Sequence, residues 1–315
     1  MKRIAILMLG GAKRVSLGRM FQQAGRRLGF AVELYSYELS ERQPIAEIAE
    51  IVVGKKWDSP QLAAHLKETV ESRRIDIIIP FVDGAIEVAC RAVNEIEGLW
   101  APVGDIDLAK KMYDKQLADE LFRSLDIPVP ELRHPFSDNF PIIAKPVFGS
   151  ASKGIVVIRQ ERDFLALNHD TRYLFQEYIA DREEFTVDCY VDRRGETVMA
   201  VPRRRIEVVG GEVTRTATVR DHELVRLSDL TLSRIGLKGA VTLQFIKDKR
   251  DGRLMLMEVN PRPAGGVVCS VHAGADLPEI ILRDWAAVEQ PEVRWTPGIE
   301  IARYPMEVVF VNNPE

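Results

Sequence analysis

Residues 254–262 read LMLMEVNPR, an apolar run that closes on polar side chains. Side chains of a strand alternate between its two faces, so Glu258 and Asn260 are predicted to share one face at the strand's end. Carboxylate and amide oxygens suit Mg²⁺, which completes its shell with water and substrate phosphates. Arg262 follows and could hold a phosphate or a carboxylate. An Asn-Pro pair alone would indicate only a turn, but the whole stretch favours a metal–phosphate site.

The preceding strand, predicted over 241–246, joins this one through the polar turn DKRDG at 248–252. If the hairpin is centred near Asp251, Gln244 lies opposite Glu258, to within one residue of register. Gln244 would then supply a third oxygen to the same spot.

A lysine stands in a second short strand, IAKP at 143–146, and GSASKG follows at 149–154. A loop of small residues can bring backbone N–H groups against phosphate oxygens, and Lys145 and Lys153 would add positive charge. Taken alone, this stretch is explained more simply as a flexible hairpin turn beside a lysine. It lacks the GK[ST] ending of a Walker A loop.

The first hundred residues alternate between strand and helix patterns, which predicts a small parallel sheet. GGAKR at 10–14 closes the first strand but lacks the spaced glycines of a dinucleotide motif, so a tight turn explains it at least as well. A long helix is predicted from Asp107, and a domain boundary at 104. The predicted strands are 4–9, 31–35 and 75–80, and the predicted helices begin near Ser16, Pro60 and Ala85.

Beyond residue 127 the chain is richer in strands, which predicts a mixed domain with antiparallel sheets. The turn DRRG at 192–195 indicates a second hairpin, and an extended tail is predicted after Pro291. The predicted strands are 142–146, 155–158, 185–191, 197–202, 241–246 and 254–260.

Composition excludes several classes of protein. The chain has 315 residues, 43 Lys and Arg against 47 Asp and Glu, and a net charge of −4, without the basic excess of a nucleic-acid binder. Cys90, Cys189 and Cys269 lie far apart, which disfavours a zinc cluster or a disulfide framework. No run approaches the ~20 apolar residues of a membrane span, and 4–9 is too short for a signal peptide core. We therefore expect a cytoplasmic protein without nucleic-acid or membrane partners.

Taken in order along the chain, these motifs resemble those of the ATP-grasp superfamily, in its carbamoyl-phosphate synthase-like group. The resemblance covers roughly residues 1–287. It implies an α/β, Rossmann-like pre-ATP-grasp domain over 1–104 and an α+β ATP-grasp domain over 105–290. Two subdomains of the latter, including a lid at about 128–180, would clamp ATP, and 291–315 would be a C-terminal tail. The motifs that carry the resemblance are DK at 114–115, IAKP at 143–146, QEYI at 176–179, EFTVD at 184–188, LQF at 243–245 and MEVNPR at 257–262.

The resemblance also implies roles for individual residues. The cofactors would be ATP and Mg²⁺, with Mn²⁺ as the alternative ion. Lys115 and Lys145 would contact the phosphates, and the loop with Gly149, Ser150, Ser152 and Lys153 would cover them. Glu177 and Ile179 would border the adenine, Glu184 would bind the ribose, and Gln176 would also belong to the ATP-binding residues. Gln244, Glu258 and Asn260 would hold the metal, and Arg262, with Lys145, would act on the transferred phosphoryl group.

The activity implied is an ADP-forming carboxylate–amine ligase that joins small molecules through an acyl phosphate. The arginines of PRRRIE at 202–207 are either partners of an anionic substrate or a solvated strand. A non-catalytic ATP-binding module or partner subunit and a small-molecule kinase stay open as alternatives. The chain carries one of the two ATP-grasp units of carbamoyl-phosphate synthase, so the complete reaction of that enzyme is not expected. A homodimer would be in keeping with the family.

Overall fold

Three β-sheets organise the chain in the computed structural model, which describes residues 1–134, 140–149, 153–168 and 170–311. The first is a four-stranded parallel sheet, the second a three-stranded antiparallel sheet, and the third a six-stranded antiparallel sheet. This confirms the predicted combination of an α/β N-terminal region with an α+β remainder. None of the helices in these ranges is long and apolar enough to cross a membrane.

The parallel sheet has the order β3-β2-β1-β4. Residues 4–9 of its central strand are fully buried, as the continuous apolar run predicts. The strand β3 was not predicted, because its four residues are half-exposed and carry no clear alternation. The elements are β1 (Lys2–Leu9), α1 (Val15–Arg27), β2 (Phe30–Glu38), a short 3₁₀ helix (Pro44–Glu47), β3 (Glu50–Val53), α2 (Leu62–Arg73), β4 (Ile77–Pro80) and α3 (Asp83–Glu95).

The single long helix predicted from Asp107 is wrong. Two helices stand there, α4 (Ile106–Tyr113) and α5 (Lys115–Ser124). Asp114 separates them with extended backbone, and its carboxylate accepts hydrogen bonds from the N–H groups of Gln116 and Leu117. An aspartate that caps a new helix stabilises the break, although the apolar period continues across it.

The three-stranded sheet has the order β6-β5-β7. Its small core is formed by Ile142, Ala144, Ile158 and Leu167. The glycine-rich loop connects the first two of its strands, and Ser150 and Ser152 of that loop lie outside the described residues. The elements are β5 (Ile142–Pro146), β6 (Val156–Ile158), α6 (Glu161–Leu165) and β7 (Tyr173–Glu177).

The six-stranded sheet has the order β12-β11-β8-β9-β10-β13. The turns at 192–195 and 248–252 join β8 to β9 and β11 to β12, which confirms both predicted hairpins. The region after Pro291, predicted as an extended tail, contributes the strand β13 at the edge of this sheet. The elements are β8 (Arg182–Val191), β9 (Thr197–Val209), β10 (Glu212–Thr218), α7 (His222–Ile235), β11 (Gly239–Asp248), β12 (Leu254–Asn260), α8 (Val268–His272), α9 (Leu277–Trp285) and β13 (Glu300–Ala302).

One hydrophobic core joins the parallel sheet to the six-stranded sheet. Ile4 and Phe21 of the N-terminal region, Tyr190 and Val201 of the large sheet, and Ile281 of α9 all belong to it. A second core lies on the other face of the large sheet, beneath α5 and α7. The shared core fixes the carboxyl ends of β1 and β4 against the end of β12, where the predicted metal–phosphate residues stand.

Candidate active site

The β11–β12 hairpin has the register that the sequence predicted. Gln244 pairs with Glu258, and Thr242 pairs with Asn260. These side chains therefore share one face, and all of them line a cavity of about 380 Å³ between the two regions.

A β-bulge at Met257 turns Glu258 toward the cavity. The register shifts between Gln244 and Phe245, so that Phe245 pairs with Leu256 and Met257 is the extra residue. Strict alternation would have put Glu258 on the same face as Leu254 and Leu256, which are buried in the core beneath α7. The bulge thus allows an apolar strand to end in a carboxylate that faces the site.

The oxygens in this cavity fit a metal ion that is shared with a ligand. The side chains of Glu258 and Gln244 make no hydrogen bond or ion pair with any described residue, while Asn260 Oδ1 accepts only a long bond of 3.4 Å from Arg262. No group of three His, Cys, Asp or Glu that could hold a metal occurs in the described ranges. One carboxylate and two amides suit Mg²⁺ when phosphate oxygens and water complete the shell.

Lys145, on the three-stranded sheet, lines a small adjoining pocket that Glu258 also lines. Its ammonium donates to Gln176 Oε1 at 2.7 Å, and Gln176 Nε2 donates to Asp119 Oδ1 at 2.7 Å. Asp119 is in turn paired with Arg123 at 2.7 Å. Burial lowers the pKa of Lys145 to about 8, against the charges of Glu258 and Asp119, which raise it. The lysine is thus held in place by a chain of polar side chains, next to the carboxylate of Glu258.

The glycine-rich loop begins beside Lys115. The ammonium of Lys115 donates to the carbonyl oxygen of Gly149 at 2.7 Å, and its backbone N–H donates to Val147 at 3.0 Å. Gly149 has a φ of +122°, a conformation that favours glycine. Lys153, at the other end of the loop, is exposed. Lys115 and Gly149, both predicted to lie near the phosphates, therefore contact each other at the start of the loop.

The residues predicted to border adenine and ribose lie where the small sheet meets the large one. The Glu177 carboxylate is occupied by Arg253, at 2.9 and 3.0 Å, so its side chain has a structural partner. Ile179 is buried in an apolar cluster with Ile246, Met255 and Met257. Glu184 accepts a hydrogen bond from Arg182 at 3.0 Å.

Arg262 is fixed by a contact that links the two regions. Its Nε donates to Asp83 Oδ1 at 2.6 Å, at the first residue of α3. Both side chains are mostly buried, with 17% and 16% of their surface exposed. A charge-assisted bond of this kind orients the remaining guanidinium donors toward the cavity.

The three arginines of the PRRRIE stretch have different surroundings. Arg203 is fully buried and is paired through two bonds, 2.6 and 2.9 Å, with Asp188. Arg205 lines the cavity, and its Nε forms a long ion pair of 3.5 Å with Glu184 Oε2. Arg204 points outward into solvent. The sequence did not reveal that Trp57, Tyr113 and Glu212 also line the cavity, because they come from a loop, a helix end and a strand end far away in the chain.

Comparison with known proteins agrees with this architecture. Residues 169–305 match the family described as ATP-grasp in the biosynthetic pathway with Ter operon. The carbamoyl phosphate synthase large chain of Vibrio cholerae is 23% identical over 230 residues, which cover 62% of this chain and 21% of that one.

Solved structures share the fold at low identity. The biotin carboxylase domain of Hydrogenobacter thermophilus 2-oxoglutarate carboxylase, in complex with MgADP, ADP and bicarbonate, has a TM-score of 0.74 at 16% identity over 92% of this chain and 72% of that chain. The L-amino acid ligase of Bacillus licheniformis has a TM-score of 0.72 at 15% identity over 94% and 78%.

The chain thus resembles an ATP-grasp family over residues 169–305 and shares its fold with these two solved structures. The chain spans about a fifth, 21%, of the length of the carbamoyl phosphate synthase large chain that it matches.

Proposed function

We propose that the protein is an ATP-dependent, ADP-forming carboxylate–amine ligase that acts through an acyl phosphate. One observation carries the proposal. The unpartnered oxygens of Glu258 and Gln244 share a cavity with the guanidinium of Arg262, and the ammonium of Lys145 is close enough to Glu258 for its pKa to respond to that charge. Phosphoryl transfer from ATP requires mainly positioning and charge neutralisation, which this set of groups can provide.

Gln244, Glu258 and Asn260 would hold Mg²⁺ or Mn²⁺. When bound, the ion would neutralise charge on the ATP phosphates. Lys145 and Lys115 would bind phosphate oxygens, and the loop between Gly149 and Lys153 would cover them. The adenine would lie against the apolar cluster that contains Ile179. Glu177, at the end of β7, would border the adenine, and Glu184, in β8, would bind the ribose.

In the proposed reaction, an oxygen of the substrate carboxylate attacks the γ-phosphorus of ATP and ADP leaves. The amine then attacks the acyl carbon, inorganic phosphate leaves, and an amide forms. Arg262, oriented by Asp83, would neutralise charge on the transferred phosphoryl group and on the acyl phosphate.

The test is ADP release from Mg-ATP across a panel of carboxylic acids, with hydroxylamine present to trap an acyl phosphate as hydroxamate. Acid-dependent hydroxamate is the expected result. A stable phosphorylated product without hydroxamate would favour the small-molecule kinase. ATP binding without ADP release for any acid would favour a binding module or partner subunit.

A further inference from the structure

The cavity of the candidate active site continues into a second lobe at the edge of the parallel sheet. This sheet-edge lobe, of about 690 Å³, is lined by residues 10–14, 37–39 and 55–58 at the carboxyl ends of β1, β2 and β3. It opens into the active-site cavity because six residues line both, namely Arg14, Trp57, Val82, Gly84, Tyr113 and Glu212. A ligand could therefore extend from Arg262 into the sheet-edge lobe.

The sheet-edge lobe is lined by cations without partners. The side chains of Lys13, Arg14, Lys55 and Lys56 form no ion pair or hydrogen bond with any described residue. The pKa of Arg14 is lowered to about 10, mainly by burial; the charge of Glu212 raises it, and the positive charges of Arg262 and Arg303 lower it. Cations left unpaired in a cleft are costly to bury unless an anion joins them.

The acids of the same lobe do not balance these cations. Glu38 is already used by the fold, since it accepts hydrogen bonds from Ser36 at 2.6 Å and from the backbone of Gly11 and Ala12. Glu212 is paired with Arg303 at 3.3 Å. Asp58 is exposed and unpaired. Among the described residues of this lobe, one unpaired carboxylate, that of the exposed Asp58, thus faces four unpaired cations, of which Lys13 and Lys56 are also exposed.

The helix that follows the lobe adds to the positive potential. α1 begins at Val15, directly after Arg14, with no side-chain cap and no acidic residue in its first turn. The helices α4, α5, α7 and α9, by contrast, each begin with an aspartate whose carboxylate accepts backbone N–H groups. Free N–H groups at a helix start attract an anion.

Gly265 packs closely against the guanidinium of Arg14. A Cβ at Gly265 would stand 2.9 Å from Nη1 of Arg14. Because Gly265 has no side chain, the guanidinium of Arg14 fits between the lobe and the active-site cavity.

We propose that the acid substrate carries a second anionic group, a carboxylate or a phosphate, which binds in the sheet-edge lobe against Arg14 and Lys55. The reacting carboxylate then lies toward Arg262 in the active-site cavity. This inference rests on the proposed ligase activity and names the substrate class of the same site, a dianionic acid.

The test compares matched acids in the hydroxamate assay: butanoate with succinate, and glycerate with 3-phosphoglycerate. Wild type should use at least one dianionic acid about tenfold or more efficiently, by kcat/KM, than its monoanionic match, as expected for a charge-assisted contact. Arg14→Gln and Lys55→Gln should lower kcat/KM for the dianionic acid about tenfold more than for its monoanionic match. Arg26→Gln, at the exposed far end of the same helix, is the control. The succinate and 3-phosphoglycerate arms distinguish a carboxylate from a phosphate.

A binding measurement separates this inference from the ligase proposal. Calorimetric titration with succinate and with inorganic phosphate should give heats of binding in wild type and Arg26→Gln that weaken about tenfold in Arg14→Gln. Equal use of both members of every pair, with Arg14→Gln affecting them alike, would overturn the inference and leave the ligase intact. Absence of hydroxamate with every acid, together with Arg14-dependent anion binding, would overturn the ligase and leave only the anion site. If Arg14→Gln unfolds, Lys55→Gln decides.

Discussion

The two sheets that face each other across the cleft differ in whether their polar side chains have hydrogen-bond partners. On the six-stranded sheet, the oxygens of Glu258 and Gln244 have no partner in the described chain. On the three-stranded sheet, Lys145 donates to Gln176, which donates to Asp119. Unpaired groups cost stability, so their retention at one place indicates a ligand, whereas a paired lysine indicates a side chain held ready in one position.

The exchange Glu258→Gln tests the unpaired side most directly. It removes the one carboxylate of the proposed metal set while keeping the shape of the side chain. We expect kcat for acid-dependent ADP formation to fall roughly 100-fold or more, by analogy with the loss of a group that stabilises charge in the transition state. Because Glu258 has no partner to lose, the free energy of unfolding should stay within about 0.5 kcal/mol. Urea denaturation and steady-state kinetics measure both.

The control is Glu97→Gln, at an exposed position outside the cleft. Turnover by Glu258→Gln equal to that of the control would show that this carboxylate does not hold a metal in the reaction. The ligase proposal would then lose the observation that carries it.

The second prediction concerns the contact between Asp83 and Arg262. Asp83→Asn removes the charge that orients the guanidinium but leaves an oxygen acceptor at the same place. We expect kcat to fall about tenfold with KM for ATP little changed, since a positioned charge is lost from the transition state rather than from ATP binding. Steady-state kinetics with varied ATP separate the two constants.

Asp107→Asn is a matched control, because Asp107 is also an acid in the first turn of a helix and lies outside the cleft. Both variants lose about 0.3–1 kcal/mol of helix stabilisation. If both lowered kcat alike, the effect of Asp83 would be one of stability, and its role as a positioning residue would be wrong. Recovery of kcat in Asp83→Glu would support that role.

Contacts in this cleft between residues that are close in the sequence can be predicted, whereas contacts between residues far apart in the sequence cannot. The pairing of Gln244 with Glu258 could be predicted, because a polar turn and a period of two fix a hairpin locally. The bulge at Met257 could not be predicted. The apolar residues of β12 fit a strand with or without the bulge, and only the packing of the core decides between the two. Asp83 and Arg262 are 179 residues apart, and their contact follows from the core that packs the parallel sheet against α9.

The same distinction applies to the helices and the domains. Asp114 was recognised as part of a family motif, yet its capping of α5 is hidden by the apolar period that runs across it. Composition alone does not show which arginines of residues 202–207 are buried. The three consecutive arginines lie in the core, in solvent and in the cleft. The domain limits at 104, 128–180 and 290 and the roles carried over from the family stay predictions.

The third prediction tests the paired side. Gln176→Leu removes both hydrogen bonds of a nearly buried side chain and leaves Lys145 without its acceptor. We expect a loss of about 1–3 kcal/mol in the free energy of unfolding, the usual cost of unsatisfied buried polar groups. KM for ATP should rise several-fold as the lysine becomes mobile. Gln160→Leu, at an exposed position, is the control. Unchanged stability would mean that Lys145 and Asp119 find each other without Gln176.

The smallest effect is expected from the titration of Lys145. Its pKa is lowered to about 8 by burial, so in the free protein the ammonium is protonated below that pH and loses its charge as the pH rises through it. The lysine therefore attracts ATP phosphates fully at pH 7 and less at pH 9, and KM for ATP should rise a few-fold over that interval. Lys145→Arg keeps its charge throughout, because a guanidinium titrates far above this range. The variant should show a flat profile of KM for ATP against pH, even if its kcat is lower. A rise in KM that is equally steep in the arginine variant would assign the titration to another group, and would separate Lys145 from the phosphates.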